Sequence, residues 1–156
     1  MPIERLRAYA LTAALILPAA LSSPAYADRC DDLARQLKSQ IDGLSVGRTA
    51  ANVIYLAHPA ATQLRLGCTN RSVTNELFAQ SLTRKPAPAF TDLVASAGAI
   101  IFTIPKQDTR TGATRCLGRM GLLRGNDIKM RFRRLDFRCT RDKTTAAISV
   151  SRGRNE

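Results

Sequence analysis

The sequence is poor in the residues that most enzymes use for chemistry. Among its 156 residues there are one histidine, no tryptophan and only 12 acidic residues. A single histidine cannot supply a two-histidine metal site or a histidine pair for acid–base catalysis. No Cys-x-x-Cys and no Gly-rich phosphate loop occurs either. The sequence therefore predicts no redox motif and no zinc knuckle, and we expect neither a metal nor another cofactor.

Long hydrophobic runs are also absent, and the longest early one is typical of a targeting signal. Arg5 and Arg7 precede a short apolar stretch at residues 8–21, which is followed by the small-x-small pattern of residues 25–27. This arrangement predicts a signal peptide over residues 1–27, cleaved on export by the general secretory route, with a retained anchor as the alternative. The remaining residues, 28–156, are expected to form a single periplasmic or secreted domain without a transmembrane segment.

The four cysteines all lie in the predicted mature chain. An even number in an exported domain indicates two disulfides, although four cysteines allow three connectivities. Cys30 and Cys116 lie on the apolar sides of predicted helices, and Cys68 and Cys139 lie on the apolar faces of the strands that follow them. This shared orientation favours Cys30–Cys68 and Cys116–Cys139.

Positive charge is concentrated in the last third of the chain. Residues 28–105 hold 8 Lys/Arg and 6 Asp/Glu, a net charge of +2, whereas residues 106–156 hold 14 and 5, a net charge of +9. A local positive field of this kind favours anionic partners. In an exported protein we expect the partner to be an anionic envelope component or an acidic protein.

The hydrophobic spacing predicts an α+β fold, in which helix–hairpin units surround a buried central helix. Residues 72–82 are ambiguous between strand and helix, and 99–104 could be a strand instead of the end of the central helix. The predicted elements are a helix over 31–44, a hairpin of strands 50–57 and 63–68, a central helix over 90–104, a helix over 110–121 that Asp108 or Thr109 could cap, and a hairpin of strands 128–139 and 144–152.

The stretch from Ile128 to Cys139 changes phase in its middle. Apolar and basic residues alternate as far as Phe132, and the apolar residues then shift by one position after two adjacent arginines. A β-bulge at Arg133 and Arg134 would keep all the apolar residues on one face. The predicted strand would then have a continuous dry face, with its basic residues on the wet face.

These basic residues are the leading candidate site, because arginine binds phosphate, carboxylate and sulfate groups bidentately. The predicted binding residues are Lys129, Arg131, Arg133, Arg134 and Arg138, with Arg141 and Lys143 as further candidates. An ordinary solvated strand face is the alternative. Nucleic acid is a less favoured partner, since the pattern buries the nearby phenylalanines and leaves no exposed stacking platform.

The sequence therefore favours a non-catalytic binding protein of unknown oligomeric state. The alternative is a small secreted hydrolase with ribonuclease-like acid–base chemistry, using His58 and Glu76. Nothing in the spacing of these two residues links them, and a loop histidine is the simpler interpretation of His58.

Overall fold

The computed structural model describes residues 25–68 and 74–152. Three helices and seven strands follow one another as α1 (Ala25–Gln40), β1 (Ser45–Ala50), β2 (Val53–His58), β3 (Ala61–Gly67), β4 (Glu76–Ser81), α2 (Pro88–Phe102), α3 (Lys106–Arg119), β5 (Asp127–Phe132), β6 (Leu135–Arg141) and β7 (Ala146–Arg152). The predicted signal peptide lies outside the described residues, except for its last three residues, which begin α1.

All seven strands form one antiparallel sheet in the order β1-β2-β3-β4-β7-β6-β5. The first four strands make one meander and the last three make another, and α2 and α3 connect the two. Strands β4 and β7 join the meanders at the centre of the sheet. The described region is therefore α+β, as predicted, but the sheet and not a helix is its central element.

The three helices cover one face of this sheet. Strand side chains alternate between a buried face and an open face, as the two-residue period of a strand requires. The buried strand residues and the apolar sides of the helices form one continuous core, which includes Leu37 of α1, Val94 of α2 and Leu117 of α3. The predicted arrangement of separate helix–hairpin units around a central helix is not what the structure shows.

Two close approaches bring α3 against its neighbours. Thr109 is fully buried and packs against Gly98 of α2. If Gly98 were alanine, its Cβ atom would lie 2.6 Å from the methyl group of Thr109. Gly112 packs against the ring of Phe137 in β6, where a Cβ atom would lie 2.4 Å from Cζ. Glycine at these positions allows α3 to lie closer to α2 and to the sheet than alanine would.

Several element boundaries differ from the predictions for local reasons. Strand β1 was not predicted, because every one of its residues is exposed at the sheet edge and no apolar alternation marks it. The turn that follows contains Ala51 and Asn52, both with positive φ, which suits a two-residue hairpin turn. The ambiguous residues 72–82 contain strand β4, and 99–104 contains the end of α2 and not a strand. Helix α3 begins four residues earlier than predicted, at Lys106, so neither Asp108 nor Thr109 caps it.

The predicted bulge at Arg133 and Arg134 is wrong, because these residues form the turn of a tight hairpin between β5 and β6. Phe132 pairs directly with Leu135, and Met130 pairs with Phe137. Direct pairing places both members of a pair on the same face of the sheet. The predicted dry face of six apolar residues therefore exists, but two antiparallel strands build it and not one bulged strand.

Both predicted disulfides are confirmed: Cys30 is bonded to Cys68, and Cys116 is bonded to Cys139. The first links α1 to the end of β3, and the second links α3 to β6. Disulfides of this kind are compatible with an oxidising, extracellular environment. Among the described residues, no helix is both long enough and apolar enough to cross a membrane.

Candidate anion-binding face

The second face of the sheet, here called the open face, is covered by none of the described helices. Its residues are exposed or half-buried, in contrast to the apolar face beneath the helices. The strand register aligns one residue from each of six neighbouring strands in a single row. From β2 to β5 this row consists of Tyr55, Arg65, Phe78, Ser149, Arg138 and Lys129.

A shallow groove of about 590 Å³ lies at the β5 side of the open face. It is lined by residues from four adjacent strands, namely Glu76, Lys129, Met130, Arg131, Asp136, Phe137, Arg138, Ser149 and Ser151. Three of the five predicted binding residues therefore meet in one groove. Three of the other lining residues, Glu76, Ser149 and Ser151, come from distant parts of the sequence, and only the strand register brings them here.

Two of the groove's arginines already have carboxylate partners. Arg138 donates to both oxygens of Asp127, with an Nη2–Oδ2 distance of 2.7 Å and an Nε–Oδ1 distance of 3.1 Å. Arg131 lies 3.8 Å from Asp136 through Nε and Oδ1. Lys129 is exposed and has no carboxylate partner within the described residues. The groove is therefore cationic but partly compensated, which strand alternation alone did not predict.

The ion pair between Asp127 and Arg138 shifts the pKa of both residues away from their ordinary values. The hydrogen bond from Arg138 is the largest cause that lowers the pKa of Asp127, and the charge of Lys129 contributes as well. The same hydrogen bond raises the pKa of Arg138. Both groups therefore carry full charge at neutral pH.

The two turn residues among the predicted set do not lie in the groove. Arg133 extends toward α3, where its Nε atom lies 3.9 Å from Oδ1 of Asp108. Arg134 is exposed in the turn and has no carboxylate partner in the described part of the chain. Of the two further candidates, Arg141 donates to carbonyl oxygens at the end of α3, and Lys143 is exposed in the turn between β6 and β7.

Sequence reasoning missed the aromatic residues of the open face. Arg65 lies 4.0 Å above the ring centroid of Phe78, and Arg48 lies 4.9 Å above that of Tyr55. The Nε atom of Arg65 is buried and has no hydrogen-bond partner among the described residues. These two rings lie on the open face of the sheet. Residues 53–57 and 77–79 are apolar without interruption, so no alternation in the sequence could have placed the rings there. Each has a guanidinium over it and does not present a bare stacking surface.

The structure does not bring His58 and Glu76 together. His58 pairs with Ala61 at one end of β3, and Glu76 pairs with Gly67 at the other end. A strand of this length separates them by about 20 Å. The His58 ring is also fully engaged: its Nδ1 accepts from the Ala60 N–H at 3.1 Å, so the protonated Nε2 donates to the Asp42 carbonyl at 3.0 Å.

One further pattern, Gly-x-Ser-x-Gly at Gly43–Gly47, matches the nucleophile motif of many hydrolases but lacks its structural context. That motif requires the serine at a sharp turn between a strand and a following helix. Here Ser45 is the first residue of edge strand β1 and comes after a helix. Its hydroxyl makes no hydrogen bond with any described residue, including His58. Across residues 25–68 and 74–152, no three His, Cys, Asp or Glu side chains are grouped as metal ligands.

Comparison with known proteins identifies no relative: no family model, no curated protein and no solved structure matches this chain.

Proposed function

We propose that this chain is a non-catalytic exported protein that binds an anionic partner in the groove of its open face. The observation that carries the proposal is the direct pairing of Lys129 with Arg138 across β5 and β6. Like charges placed opposite each other on one face of a sheet destabilise it. Asp127 is hydrogen-bonded to Arg138 and offsets only one of the two positive charges. An anionic group bound between the two side chains would offset the other.

The internal ion pairs of the groove do not prevent binding. The side chains of Arg138 and Asp127 are 53% and 49% exposed, and those of Arg131 and Asp136 are 52% and 48% exposed. Exposed pairs of this kind contribute little to stability. An incoming phosphate, sulfate or carboxylate group can therefore take the place of an aspartate at little cost.

The ligand class that we propose for this groove is an extended anionic polymer. The groove is open and shallow, and its two serines offer hydroxyl groups beside the cations. Glu76 also lines a smaller depression of about 170 Å³, to which Arg65 contributes a further cation. A polymer with repeated anionic groups can contact several cations along this path, whereas a single small ion would meet only one or two.

The test compares the single variants Lys129→Gln and Lys38→Gln. Both lysines are exposed and each substitution removes one positive charge, but Lys38 lies on α1 and outside the groove. Heparin, inorganic polyphosphate and a single-stranded RNA serve as probes, and binding is measured as salt rises from about 50 to 200 mM. We expect Lys129→Gln to reduce the slope of log affinity against log salt by about one, and Lys38→Gln to leave it unchanged.

The combined variant Lys129→Gln/Arg131→Gln should weaken the affinity for the tightest-binding probe about 10- to 30-fold at low salt. The reason is that each cation contributes about 1 kcal/mol to an exposed charged contact. Equal losses from the groove and α1 variants would show only general electrostatic attraction and would refute the proposed site. A preference for RNA over both other probes would move the ligand class to nucleic acid. No structural observation favours the hydrolase alternative.

A further inference from the structure

A second surface lies at the end of the sheet where β5 begins and β6 ends. The loop between α3 and β5 carries Leu122 and Leu123, whose exposed fractions are 107% and 100%. No other large hydrophobic residue in the described region is as exposed. Two adjacent leucines in full contact with water are unfavourable, because removing apolar side chains from water is the main favourable term in folding and association.

The loop that carries the leucines is held in a defined shape. The Gly121 and Gly125 backbones exchange two hydrogen bonds, of 3.1 and 2.9 Å, which close a short turn around the leucines. Arg141 donates to the carbonyl of Met120 at 3.4 Å and so connects the start of the loop to β6. The leucines therefore stand at the tip of an ordered projection.

Positive charge surrounds this projection. Leu122 lines a depression of about 740 Å³ together with Arg84 and Lys85, which follow β4. Arg119 and Arg124 flank the leucines along the chain and are exposed. None of these four cations has a carboxylate partner among the described residues.

We propose that this loop docks on a lipid bilayer that contains anionic lipids. Leu122 and Leu123 enter the boundary between head groups and acyl chains, and the surrounding cations contact lipid phosphates. An apolar tip with a basic rim is the combination by which interfacial segments bind such membranes. The charge complementarity favours an anionic bilayer over a second copy of this strongly basic chain.

This surface shares no residue with the groove of the open face, so the two proposals can fail separately. Membrane docking goes beyond the proposed function, because it positions the protein at a surface and leaves the groove free for its ligand.

The first experiment measures co-sedimentation of the exported, disulfide-bonded protein with vesicles. One set contains phosphatidylcholine alone, and the other contains phosphatidylcholine with phosphatidylglycerol. We expect binding to the anionic set, and a loss of about tenfold or more in Leu122→Ser/Leu123→Ser. Both leucines are fully exposed, so unchanged thermal unfolding of this variant will show that its fold is intact.

Charge variants distinguish binding through the basic rim from general electrostatic attraction between the protein and the vesicles. Removing the basic rim in Arg84→Gln/Lys85→Gln should weaken binding about fivefold for each charge removed. The matched double variant Arg35→Gln/Lys38→Gln removes two charges from α1 and should bind almost as well as the unchanged protein. The groove variant Lys129→Gln/Arg131→Gln should also retain vesicle binding, even if the proposed groove is wrong.

Because the sequence contains no tryptophan, the fluorescence of one introduced tryptophan can report insertion into the bilayer. The variant Leu123→Trp contains one tryptophan, whose emission should shift to the blue on anionic vesicles and be quenched by brominated lipid chains. No vesicle binding, no quenching, or unchanged binding by Leu122→Ser/Leu123→Ser would overturn the proposal. A dimer in sedimentation analysis that disappears in the double serine variant would also overturn it, because the loop would then be a contact between copies.

Discussion

Replacing Gly112 with alanine tests how closely α3 packs on the sheet. The new Cβ would lie 2.4 Å from Cζ and 2.5 Å from Cε2 of Phe137, whereas carbon atoms in contact are normally about 3.5–4.0 Å apart. Rotating the ring about χ2 does not help, because Cζ lies on the rotation axis. The helix or the Phe137 side chain as a whole must shift, and overpacking of this kind costs about 1–3 kcal/mol.

Alanine also has a higher helix propensity than glycine, which offsets the overpacking cost by up to about 1 kcal/mol. We therefore expect Gly112→Ala to lower the free energy of unfolding by about 1–2 kcal/mol, a decrease of roughly 3–10 °C in Tm. The measurement is denaturation under non-reducing conditions, with circular dichroism as the signal.

Gly118 supplies the matched control, since it lies in the same helix and a Cβ there has no atom within 4 Å. Gly118→Ala should be neutral or stabilising by up to about 1 kcal/mol. The Phe137→Leu change removes the ring tip, so Gly112→Ala should cost less in that background. If Gly112→Ala is as stable as Gly118→Ala, or costs the same in both backgrounds, the ring does not limit the approach of α3.

Two further predictions concern single polar groups. Thr109 is fully buried and its hydroxyl has no partner among the described residues, so Thr109→Val should raise the free energy of unfolding by about 1 kcal/mol in urea denaturation. For Asp142, backbone N–H groups of Thr145 and Thr144 lower the pKa from 3.8 to about 2. A lowered folded-state pKa contributes stability above the unfolded value that is lost as the pH falls through the folded value. Unfolding measured between about pH 5 and pH 1.5 should therefore show an acid-sensitive component that Asp142→Ala lacks.

Inward-facing residues were the most predictable part of this fold. Both disulfides and the continuous apolar face of β5 and β6 followed from side-chain periodicity, which depends only on local backbone geometry. The same periodicity could not reveal β1, because all six residues of this edge strand are exposed and there is no apolar alternation to detect.

The composition of the candidate site was only partly predictable. Alternation placed Lys129, Arg131 and Arg138 on a wet face, as the structure does. Their partners depend on strand register: Lys129 faces Arg138, and Arg131 faces Asp136, only because the chain reverses after Phe132. A bulged strand and a hairpin produce the same apolar face, so the hydrophobic pattern could not distinguish between them.

The turn at Arg133 and Arg134 offers a test of that distinction in solution. Arg133 has a φ of +57°, and Arg134 is not among the residues with positive φ. A positive φ at the first central residue alone is the pattern of a type II′ hairpin turn, where glycine is favoured. A side chain in this conformation costs about 1–2 kcal/mol, which Arg133→Gly would relieve.

Two losses oppose that gain: glycine adds up to about 1 kcal/mol of unfolded-state flexibility, and the exposed pair with Asp108 contributes about 0–1 kcal/mol. Arg133→Gly should therefore be close to neutral or slightly stabilising. Arg134→Gly adds the same flexibility without relieving a positive φ, and should destabilise by about 0.5–1 kcal/mol. The free energies of unfolding of these two variants are compared by chemical denaturation under the same conditions. Equal destabilisation by both substitutions would contradict the positive φ at Arg133, and with it the hairpin that aligns the cations of the groove.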